Sequence, residues 1–257
     1  MSSQTVLLVH SGGFTSRQWR KLAADLAPTY QVLAPDLLGY GASGPWPLGE
    51  RFHFRQDVAH LESILNDAKA PVHVVGHSYG GFLALKLALD RPNAVRSLAL
   101  FEPVAFGILN EPADTEARRI LDLLPTRYAP GSDGVVDRWL AGFVDWWNGP
   151  GAWASLAEDA KGNFRAVGWK LSQEVATLVT DQTDRGAYRS LAMPALLLGG
   201  AQSPLPARRV LEKLAAALPR ATLQIFEDMG HMAPITHADV VNAAIVAHID
   251  ACSTKVR

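Results

Sequence analysis

The stretch Pro71-Val72-His73-Val74-Val75-Gly76-His77-Ser78-Tyr79-Gly80-Gly81 decides how this chain is read. Its first half is apolar and β-branched, the composition of a strand buried on both faces. Its second half runs into a segment dense in Leu and Ala, which predicts a helix over Gly80–Leu89. Between them, Gly76-His77-Ser78-Tyr79-Gly80 fits G-x-S-x-G, a sharp strand-to-helix turn that exposes a serine hydroxyl at the sheet edge. Side chains at 76 and 80 would collide with neighbouring backbone, so both positions require glycine. The helix starting there aims N–H groups and partial positive charge at the serine. A glycine-rich turn with an incidental serine is the plain alternative, and the flanking strand and helix argue against it.

Short apolar runs recur on either side of this turn, and helical patterns separate most of them. Thr5–His10, Gln31–Pro35, Val72–Gly76, Val95–Phe101, Ala195–Gly199 and Thr222–Phe226 read as strands. Arg17–Leu26, Arg55–Asp67, Pro206–Leu218 and Ala238–Ile249 read as helices; Val58, Leu61, Ile64 and Leu65 fall on one face of the second. Alternation of this kind predicts an α/β fold, a mostly parallel sheet with helices on both faces. Ligands of such sheets sit beyond the carboxyl ends of the strands. The rhythm breaks over 104–193, where three helical patterns (Thr115–Leu124, Val135–Trp147, Trp169–Leu178) and five of the seven tryptophans fall, with no convincing strand. Residues 1–103 and 194–257 are therefore expected to form the core domain, and 104–193 an inserted helical cap.

Composition narrows the function. The 257 residues are 48% hydrophobic and 19% charged, enough for a sizeable core, and the net charge is −1. No basic field is available for nucleic acid and no polybasic patch for anionic lipid, so a small apolar molecule is the expected partner. The single Cys252 cannot form an intrachain disulfide, and no Cys/His metal spacing is present. The first residues lack a basic segment and the run Val6–Val9 is too short for a signal or a membrane span, which predicts a cytoplasmic protein. Gly39-Tyr40-Gly41-Ala42-Ser43-Gly44 fits G-x-G-x-x-G with Asp57 downstream, but Pro45 and Pro47 prevent a helix from opening there, so no dinucleotide is expected. No P-loop or HExxH sequence occurs, and no cofactor or metal is expected.

The chain resembles the α/β-hydrolase superfamily with a helical cap, over nearly its whole length. The resemblance rests on His10-Ser11-Gly12-Gly13-Phe14 after the first strand, Pro35-Asp36-Leu37-Leu38-Gly39-Tyr40-Gly41-Ala42-Ser43 after the second, the Ser78 turn, and Gly230-His231-Met232-Ala233-Pro234 near the end. The antiparallel strands that often open this fold are expected to be missing. The resemblance implies a serine hydrolase with Ser78 as nucleophile, activated by a base. Chain order singles out His231, on the loop after the last strand, from His10, His53, His60, His73, His77, His237 and His248. Oxyanion donors are expected at the Tyr79 N–H and the Gly12 N–H, with Gly13 as the substitute; Ser11 stands where the family has glycine.

The acid departs from the family pattern. An Asp is implied after the fifth strand, just before a proline, and Ser203 occupies that place; no carboxylate lies between Asp184 and Glu212. Glu102 ends the fourth strand on the same sheet edge as Ser78, where some haloalkane dehalogenases carry their acid. It is the candidate third member, with Asp228 as the outsider. A carboxylate there could instead hydrogen-bond the strand end. Trp139, Phe143, Trp146 and Trp147 form one helical stripe, mostly cap core, with Trp146, Trp147 and Met232 as candidates for the pocket wall. Leu37, Leu38 and Phe106–Leu109 would add apolar surface. The expected reaction is hydrolysis of an ester or related carbonyl bond through an acyl-enzyme. C–C bond hydrolysis or hydroxynitrile-lyase-like chemistry on the same residues, and a non-catalytic receptor on the same scaffold, are the alternatives. A haloalkane dehalogenase would need a carboxylate in place of Ser78.

Overall fold

The computed structural model describes residues 4–68, 71–126, 128 and 135–253. Six strands, β1 (Thr5–Val9), β2 (Gln31–Leu33), β3 (Val72–His77), β4 (Val95–Phe101), β5 (Ala195–Gly200) and β6 (Ala221–Phe226), form one sheet in the order β2-β1-β3-β4-β5-β6. Every pairing is parallel. Each predicted strand is present, within two residues at either end.

The helices follow in chain order: α1 (Arg20–Leu26), α2 (Phe54–Asp67), α3 (Tyr79–Asp90), α4 (Thr115–Leu121), α5 (Val135–Asn148), α6 (Ala152–Ser155), α7 (Glu158–Thr180), α8 (Arg185–Tyr188), α9 (Leu205–Ala217), α10 (Ala233–Thr236) and α11 (Ala238–Ser253). Side chains alternate across the sheet as a pleat requires. Val6, Leu8, Val75, Ala99, Phe101 and Leu198 face one layer, packed against Trp19, Leu22 and Leu26 at the α1 end and Val241, Ile245 and Ile249 of α11. Leu7, Val9, Val74, Leu98, Leu100 and Leu197 face the other, packed against α2, α3 and α9. Burial on both sides explains why the central strands are apolar throughout, whereas the middle of edge strand β6 is exposed.

Between β4 and β5 the described residues contain helices and no strand, and Leu171, Val175 and Leu178 of α7 join the second layer. A buried ion pair, Lys86 of α3 to Asp181 after α7 at 2.8 Å, fastens this helical stretch to the helix that follows Ser78. Strand order reverses between β1 and β3, opening a crevice at their carboxyl ends. The segments leaving those ends begin at His10 and Ser78, so the fold sets the two motif loops side by side.

Candidate active site

Ser78 is the residue between β3 and α3, with φ 54° and ψ −118°, a strained conformation for a residue with a side chain. Its N–H donates to the Phe101 carbonyl at 2.9 Å, extending the β3–β4 pairing. The glycines allow the bend. A Cβ on Gly76 would lie 2.5 Å from the Gly80 carbonyl oxygen, and one on Gly80 would strike the His10 and Val9 carbonyls. These neighbours are backbone and cannot move aside. Gly76→Ala is therefore expected to cost about 3 kcal/mol or more and to lower Tm by roughly 6 °C or more in thermal unfolding, with loss of activity.

Three side chains meet at this bend. The Ser78 hydroxyl donates to His231 Nε2 at 3.0 Å, and His231 Nδ1 donates to Glu102 Oε2 at 2.7 Å. Glu102 follows β4 directly, with φ 42°. Its N–H bonds the Leu198 carbonyl at 2.9 Å, so Ser78, Glu102 and Gly199 lie at one level on neighbouring strands. The carboxylate is fully buried, and two more donors converge on Oε1: the Gly200 N–H at 2.8 Å and the Ser203 hydroxyl at 2.6 Å. These bonds offset the cost of burying the group. Glycine at 199 leaves room, since a Cβ there would already touch Glu102. Ser203, at the family's aspartate position, thus contacts the carboxylate that Glu102 supplies. Asp228 is exposed and away from the imidazole's partners.

A further layer holds His231 and the first motif loop. His77 is fully buried, and burial pushes it well below the usual imidazole range, with His231 adding to the effect. In its neutral form its Nε2 donates to the His231 carbonyl at 2.9 Å, while Nδ1 accepts from Gln18 at 3.1 Å. Gln18 Oε1 in turn accepts the Ser11 N–H and hydroxyl at 3.1 and 2.8 Å. Serine where the family has glycine is thereby built into the loop. His10 is pulled down to about 4 by burial; its Nε2 accepts the Leu37 N–H at 3.0 Å. Asp36 accepts the Ser16 and Ala42 N–H groups at 2.7 Å each; partial burial raises it, yet these bonds hold it below the usual carboxylate range. Both residues shape the loops.

A cavity of about 390 Å³ opens onto Ser78 and His231. Gly12 and Tyr79, the expected oxyanion donors, both line it. The Gly13 N–H is engaged with the Tyr40 hydroxyl at 3.1 Å, whereas no partner is found for the Gly12 N–H among the described residues. The remaining wall is mainly apolar, from residues such as Phe14, Phe106, Phe143, Phe164 and Val175. Trp147 and Met232 line it as well, and the Trp147 ring stacks on His231 with centroids 3.7 Å apart. Trp146 does not: its indole N–H donates to the Ile120 carbonyl at 3.0 Å and its ring packs edge-on against Trp147. Consecutive residues on a helix point about 100° apart, so only one of this pair can face the cavity. Leu37 is packed in the core and, like Leu38 and Leu109, contributes no wall. Among the described residues no group of three or more potential ligands could hold a metal, and no helix is long and apolar enough to cross a membrane.

Sequence reading missed Gln18, the neutral His77, and a buried group of Asp57, Lys170 and Glu174. The first two carry no spacing signal. The third left one trace: Lys170 and Glu174 are spaced i, i+4 beside the apolar positions 171, 175 and 178.

A parallel α/β sheet with Ser, His and a carboxylate assembled at the carboxyl ends of its strands defines a hydrolase scaffold. The chain belongs to the alpha/beta hydrolase family, whose model matches residues 6–244. It is 31% identical to the lipase LipV of Mycobacterium tuberculosis, over 93% of this chain and 91% of that one. It is 30% identical to the dihydrolipoyllysine-residue acetyltransferase component of the acetoin cleaving system of Cupriavidus necator, over 96% of this chain; it spans only 64% of that protein's length. Among solved structures, a thermophilic esterase from Thermogutta terrifontis superposes with TM-score 0.72 over 98% of this chain and 92% of that one, and at 20% identity this is a likeness of fold.

Proposed function

We propose that the protein hydrolyses esters, or closely related carbonyl compounds, of small apolar acids through an acyl-enzyme on Ser78. The observation that carries this is the unbroken relay from Ser78 through His231 to Glu102 at 3.0 and 2.7 Å, opening into an apolar cavity. His231 takes the Ser78 proton as the hydroxyl attacks the carbonyl carbon, and Glu102 holds the tautomer and balances the imidazolium. The N–H groups of Tyr79 and Gly12 receive the oxyanion; that Gly13 is already engaged favours Gly12 as the second donor. Expulsion of the alcohol leaves an acyl-enzyme, which water hydrolyses by the same route. Residues 1–103 and 194–257 form the catalytic core, and 104–193 form a cap that roofs the acyl site.

A receptor without turnover would suit a site with no acid beside the imidazole; the contact of Glu102 with His231 favours catalysis instead. A panel of p-nitrophenyl esters of increasing acyl length tests the proposal. Each added methylene is expected to raise kcat/KM about three- to fourfold until the cavity is full. Pre-steady-state release of p-nitrophenol should show a burst as the acyl-enzyme accumulates. A preference for strongly anionic acids, or turnover of C–C substrates with no ester burst, would refute it.

A further inference from the structure

Behind the Gly12 loop lies a buried charge group that the relay does not use. Lys170 and Glu174 of α7 meet Asp57 of α2 in the interior, and none of the three is more than 1% exposed. Lys170 Nζ donates to Asp57 Oδ2 at 2.7 Å and to Glu174 Oε1. The Tyr79 hydroxyl donates to the same Asp57 oxygen at 2.9 Å, and the Leu38 N–H to Oδ1 at 3.0 Å. One ammonium therefore serves two acids. The second oxygen of Glu174 makes no well-formed hydrogen bond among the described residues, although the Tyr40 hydroxyl interacts with the carboxyl. It lies against Gly12, where a Cβ would come within 2.5 Å of it, and Glu174 is among the residues that line the cavity.

The titratable groups around Glu174 come from four elements. Lys170 shares its helix, Asp57 stands on α2, Tyr79 on α3, and Tyr40 on the loop after β2. His10, at the end of β1, lies within electrostatic range of Lys170 and Asp57 and is neutral in the physiological range. Burial pushes the Glu174 carboxyl up; Lys170 pulls it back, Asp57 raises it again, the Tyr40 hydroxyl lowers it, and the balance stands at about 7. The neutral form leaves the group with one cation and one anion. Ionisation adds a second negative charge with no counterpart.

We propose that Glu174 is a positioning residue for the Gly12 donor and works in its neutral form, because its ionised form sets an uncompensated negative charge against the loop that receives the oxyanion. The inference rests on the reading of Gly12 as that donor. In a dry site, repulsion between a carboxylate and a developing oxyanion is poorly screened, so the transition state suffers more than the bound substrate.

The test is the rate constant for labelling of Ser78 by a fluorophosphonate, together with kcat/KM for a neutral ester, across pH in the intact protein. Both are expected to fall about tenfold between about pH 7 and 9 in the wild type. Glu174→Gln, uncharged throughout, should abolish the fall. Asp57→Asn withdraws the charge that raises Glu174, so the fall should move to lower pH. A wild-type profile that stays level across this range overturns the inference, as does a fall that persists unchanged in Glu174→Gln, while labelling at Ser78 leaves the ester reading standing. Absence of Ser78 labelling at every pH would sink the ester reading and this inference with it.

Discussion

Glu102→Gln is expected to lower kcat about 10,000-fold while the protein keeps its fold. The surroundings of the carboxylate dictate this outcome. Oε1 accepts both the Gly200 N–H and the Ser203 hydroxyl, so the oxygen of the new amide must take that place. The amide NH2 is then turned toward His231 Nδ1, where Oε2 now accepts at 2.7 Å. Two donors cannot face each other, so the imidazole is driven to carry its proton on Nε2. In that tautomer Nε2 cannot accept the Ser78 proton, and no carboxylate remains to balance an imidazolium. Steady-state kinetics measures the loss, and 15N chemical shifts of His231 report the tautomer. Ser203→Ala removes one of the donors to Oε1 and leaves the carboxylate in contact with His231, so it should cost far less. If Ser203→Ala proved the more damaging, Glu102 would not be the acid.

Ser78→Ala should be the most severe change, roughly a millionfold in kcat, and it should end labelling by a fluorophosphonate. On the proposed route the side chain removed is the one that forms the new bond. What activity remains would come from the proposed Gly12 and Tyr79 donors and from binding in the cavity. The fold should survive, since the strained backbone at 78 is imposed by the Phe101 hydrogen bond and by Gly76 and Gly80, not by the hydroxyl. Equal labelling of wild type and variant would show that another residue carries the chemistry. If Ser78, His231 and Glu102 act as one unit, a Ser78→Ala, Glu102→Gln double variant should be no slower than Ser78→Ala alone.

Much of this was legible in the chain itself. Burial of the central strands on both faces demands apolar runs, and the crossover helices demand their own period, so strand and helix positions could be read from local composition. The bend at Ser78 could be read because close backbone approach tolerates only glycine at 76 and 80. His231 followed from chain order. For the acid, sequence pointed to Glu102, with Asp228 as the outsider, because Ser203 fills the place where the family carries an aspartate.

Only the tertiary structure shows which carboxylate contacts His231, and for a physical reason. Which carboxylate reaches an imidazole depends on the level at which neighbouring strands end and on the space left between them. Glu102 reaches His231 because β4 lies between β3 and β5 and because Gly199 has no side chain in the way. The same holds for Trp147 over Trp146, a choice set by the rotation of one helix above the cavity. It holds most of all for Asp57, Lys170 and Glu174, whose charges meet only once α7 is laid across α2: local residue types and spacing determine elements, but a desolvated charge acquires its partners, and its proton, from the fold.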